Sequence, residues 1–132
     1  MYPFTFASRN ALTAHGSRAY AEVFLEDPAS GTKDGPKLCL VDTGADYTIL
    51  PDTMAVTLGL ALGRLPVVTI RAADGSTFTI PMATGLRLVI EGFIVIADVL
   101  FCSAPKFTPL VGRVDLMNAF DFGFDDTYWY HD

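Results

Sequence analysis

Residues 38–50, LCLVDTGADYTIL, place two carboxylates inside a mainly apolar stretch. Asp42 follows four apolar residues, so a buried strand would deliver it into a site that is poor in water. Gly44 allows the backbone to turn sharply, and its N–H can then point back at the carboxylate. A carboxylate held in this way is suited to exchanging a proton with a water molecule. The alternative for an acid at a strand end is an ordinary cap or turn.

One carboxylate is not sufficient to hydrolyse an amide without a metal, because one acid must take a proton from water while another gives a proton to the carbonyl oxygen. Two carboxyl groups held close together can do both, because they cannot both ionise and therefore share a proton. This chain contains Asp-Thr-Gly once. A second copy, related by a two-fold axis, could supply the missing carboxylate. The sequence therefore predicts a homodimer with a shared site.

The composition is that of one folded, acidic domain. The chain has 132 residues, of which 51% are hydrophobic, so we expect a single domain over residues 1–132 with a real core. Acidic residues outnumber basic ones by 15 to 9, which gives a net charge of -6. A chain without a run of Lys and Arg is poorly suited to neutralise phosphates, so nucleic acid is not an expected partner.

The sequence predicts a cytoplasmic setting without a membrane partner or a cofactor. The N-terminus has no basic stretch followed by an apolar region, so we expect no signal peptide. The most apolar stretch, residues 86–101, is interrupted by charged residues and is too short to span a bilayer. Cys39 and Cys102 lie in apolar runs, which favours two buried, reduced thiols over the alternative of a disulfide. His15 and His131 have no ligand-type neighbours at metal spacing, so no metal site is predicted.

Strand patterns dominate the chain. Residues 67–80 predict a hairpin that turns at Asp74-Gly75, and residues 85–101 predict a second hairpin that turns at Glu91-Gly92. Residues 38–41 predict a short buried strand that leads into Asp42, and residues 121–124 and 127–130 predict short aromatic strands. The expected fold is therefore mainly β.

The remaining segments predict loops and one or two short helices. The turn-forming residues of 27–37, DPASGTKDGPK, indicate a loop. Pro51-Asp52 and Gly59 mark the start and the end of one short helix. Residues 113–120, RVDLMNAF, can make two further helical turns.

Two segments together resemble the retropepsins, the retroviral-type aspartic proteases. LVDTGADYTILP, residues 40–51, closely resembles their active-site segment. Their second signature, two apolar residues followed by Gly-Arg before a short helix, is matched by Leu110, Val111, Gly112 and Arg113. The hairpin at 67–80 lies where the family has its flap, and the resemblance extends over about residues 19–125. It implies a single-domain retropepsin-like acid-protease barrel with a flap hairpin and one or two short helices. Because the sequence begins with Met and has no Gag-like or polymerase-like flank, we expect a stand-alone bacterial member rather than a piece of a retroelement polyprotein.

The resemblance also implies roles for individual residues. Asp42 would be the catalytic aspartate, the Thr43 hydroxyl would bond across the dimer, and Gly44 would lie beside the catalytic water. Substrate-binding roles would fall to the residues after the glycine and to those at the flap tip, namely Ala45, Asp46, Ala73, Asp74 and Gly75. The segment from Leu110 to Arg113 would be structural support, with Arg113 paired to Asp46. Val114 separates Gly-Arg from the next acid, so Asp115 receives no role.

The expected function is that of a homodimeric aspartic endopeptidase that cuts extended peptides between hydrophobic residues. Ala45 stands where the two-lobed relatives have a hydroxyl group that stabilises the ionised dyad, so we expect activity between mildly acidic and neutral pH. One alternative is a binding or dimerisation module of the same fold with weak or no peptidase activity. Another is a β-barrel that binds an unrelated small ligand.

Overall fold

The computed structural model describes residues 8–11, 18–71, 74–103, 108–124 and 128–131. Strands make up most of this structure, as predicted. The strands are β1 (Ser8–Ala11), β2 (Tyr20–Glu26), β3 (Lys33–Asp42), β4 (Thr48–Pro51), β5 (Val67–Arg71), β6 (Thr77–Ile90), β7 (Phe93–Cys102), β8 (Leu110–Gly112), β9 (Phe122–Phe124) and β10 (Tyr128–His131). The helices are α1 (Asp52–Thr57), α2 (Arg113–Ala119) and a single 3₁₀ turn, Leu62–Arg64.

Six strands close into a barrel, in the order β2-β3-β8-β4-β7-β6, because β6 pairs back onto β2. Two of the neighbouring pairs, β3 with β8 and β4 with β7, are parallel. β6 has an irregularity in its pairing with β7, between Ala83 and Leu86. Its second half therefore belongs to the barrel, while its first half pairs with β5 as a hairpin that extends beyond the ring.

A smaller antiparallel sheet joins the two ends of the described chain, in the order β1-β10-β9. β1 pairs with β10 from Ser8 opposite His131 to Ala11 opposite Tyr128. The two predicted aromatic strands are thus present as β9 and β10. Within the same chain, β10 pairs with both β1 and β9.

The core fills the barrel interior because strand residues alternate between the two faces. In the second arm of β6, Leu86, Leu88 and Ile90 are buried, as the sequence pattern predicts, and the intervening residues are only partly covered. The seam between β2 and β6 also carries a buried carboxylate, Glu26, which pairs with Arg87 of β6.

Both predicted hairpins and both predicted helices are confirmed. The turn between β6 and β7 is at Glu91-Gly92, where φ is positive at both residues. Residues that follow Pro51 form α1, and the chain leaves that helix at Gly59 with φ +77°. Segments with strong local signals, such as Asp-Gly turns and a proline at a helix start, are therefore placed correctly from the sequence.

The predicted loop at 27–37 was wrong in its second half. Residues from Lys33 onward belong to β3, because Lys33 and Asp34 pair with Glu26 and Leu25 beyond a register shift that lies between Val23 and Leu25. The predicted buried strand at 38–41 was also wrong at its first residue. Leu38 is 62% exposed, since the residues that face the core on this strand are Cys39 and Val41.

Neither cysteine forms a disulfide, and Cys39 is buried while Cys102 is only partly covered. Burial raises the pKa of the Cys39 thiol to about 12. Within the described ranges, no helix has the length and the apolar composition that crossing a bilayer requires.

Candidate active site

Asp42 is the last residue of β3, and it lies beside Gly112 of the second motif. β3 and β8 run parallel, with Leu40 opposite Leu110, Val41 opposite Val111 and Asp42 opposite Gly112. Two apolar strands thus end at the same edge of the barrel, and both chain segments turn there. The two motifs that are about 70 residues apart in the sequence are in direct contact in the fold.

The Asp-Thr-Gly turn holds the Asp42 carboxylate as the sequence predicts. The backbone N–H of Gly44 donates to Asp42 Oδ1 at 2.9 Å, and the N–H of Ala45 donates to the Asp42 carbonyl at 3.3 Å. A Cβ at Gly44 would lie 3.2 Å from Asp42 Oδ1, which is tight. Asp42 is half-buried and Thr43 is exposed. The turn therefore presents the carboxylate and the Thr43 hydroxyl on an open face of the chain.

The β8–α2 segment clamps this turn from the side. The N–H of Arg113 donates to the Ala45 carbonyl at 2.7 Å, and the N–H of Val114 donates to the Asp46 carbonyl at 3.4 Å. The predicted ion pair is present, with Arg113 Nη2 2.8 Å from Asp46 Oδ1. Both side chains are largely exposed, so this pair alone adds little to stability. It orients Asp46 rather than holding the fold together.

Gly112 is required by close backbone contact. It is buried, and a Cβ built at this position would lie 2.4 Å from both the carbonyl carbon and the carbonyl oxygen of Tyr47, and 2.8 Å from the carbonyl oxygen of Asp46. Its φ of −83° is ordinary, so crowding and not backbone conformation demands glycine here. The structure-supporting role expected for Gly112 has this physical basis.

A buried polar chain behind the turn was missed by the sequence analysis. The N–H of Gly112 donates to Thr48 Oγ1 at 3.1 Å, and the Thr48 hydroxyl donates to Asp115 Oδ2 at 2.5 Å. Thr48 is 0% exposed and Asp115 is 5% exposed. Asp115, to which the sequence assigned no role, therefore ties α2 to the segment that follows the Asp-Thr-Gly turn.

The environment of Asp115 favours its neutral form. Burial raises the pKa of the Asp115 carboxyl, and the negative charge of Asp98 acts in the same direction, while the hydrogen bond from Thr48 opposes both. The sequence indicates this pair only weakly, because Thr48 is a threonine in an apolar strand and Asp115 is an acid in the first turn of a helix. Nothing local connects them, because they are 67 residues apart.

A cleft of about 430 Å³ lies between the turn and the hairpin. One wall is residues 44–47, the opposite wall is residues 69–71 of β5, and Ile49 and Leu100 complete the lining. Three expected site residues, Gly44, Ala45 and Asp46, are thus brought together at a space large enough for substrate side chains. The β5 wall and Tyr47 were not predicted as parts of the site.

The tip of the hairpin is separate from this lining. Asp74 and Gly75 form the predicted turn, with φ +87° at Gly75, and neither is among the described residues that line the cleft. The Asp74 carboxylate accepts hydrogen bonds from the N–H of Ser76 at 2.8 Å and from its hydroxyl at 2.5 Å. Asp74 thus stabilises the turn. Ala73, also expected at the tip, lies outside the described residues.

No family model and no curated protein matches this sequence. Within the described part of the chain, no group of three or more His, Cys, Asp or Glu side chains could hold a metal ion.

Proposed function

We propose that the protein is an aspartic endopeptidase of the retropepsin type, active as a homodimer in which each chain contributes Asp42. The observation that carries the proposal is the set of hydrogen bonds that hold the Asp-Thr-Gly turn beside a cleft. Its carboxylate accepts the Gly44 N–H at a strand end, and the Arg113 N–H holds the same turn through the Ala45 carbonyl. Residues 44–46, which follow Asp42 and Thr43, line a cleft whose opposite wall is β5, although Asp42 itself is not among the described lining residues. A simple cap would not require this clamp or this cleft.

The proposed chemistry needs two copies of Asp42. Asp46, the other acid of the turn, is already paired with Arg113, so it is poorly placed to share a proton with Asp42. In the dimer the two Asp42 carboxyl groups share one proton. The ionised group takes a proton from water as the water oxygen attacks the peptide carbonyl carbon, and the protonated group gives its proton to the carbonyl oxygen. Collapse of the resulting diol, with proton transfer to the nitrogen, breaks the C–N bond and releases an acid and an amine.

The Thr43 hydroxyl is assigned the contact between the two turns, because it is exposed in the single chain beside the catalytic carboxylate. The two-fold axis would bring the Thr43 hydroxyls and the Asp42 carboxylates to the same interface. Assembly and activity are then coupled: a separated chain has half of the dyad. Peptide strands would lie along the cleft, with backbone contacts to residues 44–46.

A mixed peptide library, read by mass spectrometry at mildly acidic and at neutral pH, tests the proposal. The wild-type protein should cleave peptides, and Asp42→Asn should not. Asparagine keeps an oxygen that can accept the Gly44 N–H, so the loss would report the chemistry rather than the fold. Asp121→Asn, which removes an exposed acid, is the matched control and should cleave as the wild type does.

Two other results would contradict the proposal. Cleavage by neither protein would favour a binding or dimerisation module of the same fold. Equal cleavage by the wild type and by Asp42→Asn would mean that the activity does not depend on Asp42. A transition-state isostere of the peptide bond that raises the melting temperature would favour either the peptidase or the binding module of the same fold over a barrel that binds an unrelated ligand.

A further inference from the structure

The cleft contains one charged side chain without a charge partner. Asp46 and Arg71 are the charged residues of the described lining. Arg113 neutralises Asp46 at 2.8 Å, whereas Arg71 makes no ion pair with any residue that the structure describes. A guanidinium that lines a binding cleft and has no internal carboxylate partner is available to a ligand.

The position of Arg71 suits a contact with a substrate side chain. It is the last residue of β5, opposite Thr77 of β6, on the wall that faces the Asp-Thr-Gly turn. Thr69 precedes it by two residues, so the two side chains project from the same face of the hairpin. The rest of the cleft offers apolar contacts from Ile49 and Leu100. The cleft thus combines an apolar base with a cationic edge.

A glutamate or aspartate side chain matches these surroundings. Its methylene groups can lie on the apolar base while its carboxylate accepts two parallel hydrogen bonds from the guanidinium, a geometry that lysine or a neutral donor does not provide. The chain as a whole carries a net charge of -6, so its overall field does not attract acidic peptides. Any preference for an acidic residue must therefore come from a short-range contact such as this one.

We propose that Arg71 is a specificity-determining residue that selects peptide substrates with an acidic side chain near the scissile bond. This inference rests on the proposed peptidase function and adds a substrate class to it. It concerns side-chain carboxylates, and not the carboxylate at a peptide terminus. The contact is partly exposed to solvent, so the preference should weaken as salt is added.

The test compares pairs of peptides that contain a bond the wild type cuts and that differ only by Glu or Gln at one position. The Glu or Gln is moved in turn to each position around that bond. Both peptides are amidated at the C-terminus, so only the side chain supplies a carboxylate. At one position, kcat/KM of the wild type should be about fivefold higher for the Glu peptide. Arg71→Gln should remove this preference, and Arg71→Glu should shift it toward a Lys peptide. Arg64→Gln, which changes an exposed arginine outside the cleft lining, is the control and should keep it.

The outcomes separate this inference from the peptidase proposal. Cleavage with no preference for Glu at any position, or a preference that Arg71→Gln retains, would overturn the role of Arg71 and leave the peptidase intact. Cleavage of neither peptide would overturn the peptidase proposal and this inference with it. Binding of the same peptides to Asp42→Asn, measured by fluorescence anisotropy, provides a second readout that should show the same Arg71-dependent preference.

Discussion

Substitution of Gly112 by alanine should damage the candidate site and the stability of the whole domain. The added Cβ would lie 2.4 Å from the carbonyl carbon and oxygen of Tyr47. These are backbone atoms, so no rotamer change can relieve the overlap. β8 and the segment after the Asp-Thr-Gly turn would have to separate. That movement would stretch the bonds from Gly112 to Thr48 and from Arg113 to Ala45.

The magnitude follows from these two effects. Overpacking at a tightly packed position costs about 1–3 kcal/mol, and loss of a buried hydrogen bond costs about 1 kcal/mol more. We therefore expect the free energy of unfolding to fall by about 3 kcal/mol. For a domain of this size the melting temperature should fall by roughly 12 °C. Displacement of the turn by about 1 Å should also reduce peptide cleavage by roughly a hundredfold while the variant is folded.

Urea unfolding at a fixed protein concentration measures the stability, since the proposed dimerisation would make the midpoint depend on concentration. Gly63→Ala is the matched control. Gly63 has no heavy atom within 4 Å of a built Cβ and does not have a positive φ, so its substitution should change stability by less than about 0.5 kcal/mol. The reasoning would be refuted if Gly112→Ala were no less stable than the control and cleaved peptides as well.

Two further predictions concern buried titratable groups. Asp115→Asn should become more stable relative to the wild type as the pH rises from about 4 toward neutrality. Burial raises the pKa of Asp115, so its protonated form stabilises the folded wild type fully at a pH below the unfolded-chain pKa. The wild type loses this stabilisation as the pH rises through the folded-state pKa of Asp115. Urea midpoints across this range test it, with Asp121→Asn as the exposed control, and a pH-independent difference would contradict it. Iodoacetamide should modify Cys102 but not Cys39 in the folded chain, because Cys39 is fully buried and its pKa is raised to about 12. Mass spectrometry of the native and the denatured chain reads this directly, and native modification of Cys39 would refute its burial.

The sequence was most informative where a local signal decides the backbone. The turns at Asp74-Gly75 and Glu91-Gly92, the helix after Pro51 and the hydrogen bond from Gly44 to Asp42 all depend on residues that are close together in the chain. Their conformations follow from the freedom of glycine, the fixed φ of proline and the side-chain acceptor of aspartate. These parts could be predicted before any tertiary contact was known.

Tertiary contacts decided the parts that the sequence analysis missed. Lys33 and Asp34 look like loop residues, and they are in a strand because β2 supplies partners for their backbone groups. Thr48 and Asp115 are joined across 67 residues by the way α2 packs behind the turn. Arg71 lines the cleft together with residues 44–47, which are distant in the sequence, and no pattern within residues 67–80 reveals this proximity.

The central claim is that one active site needs Asp42 from two chains, and a mixing experiment tests it most directly. Wild-type protein at fixed concentration is allowed to exchange subunits with a ninefold excess of Asp42→Asn, and peptide cleavage is then measured. If each site takes a carboxylate from both chains, random pairing leaves about one tenth of the wild-type chains with an intact partner, so activity should fall to about one tenth. Activity that stays unchanged while subunits demonstrably exchange would contradict the account, because a single chain would then hold a complete site.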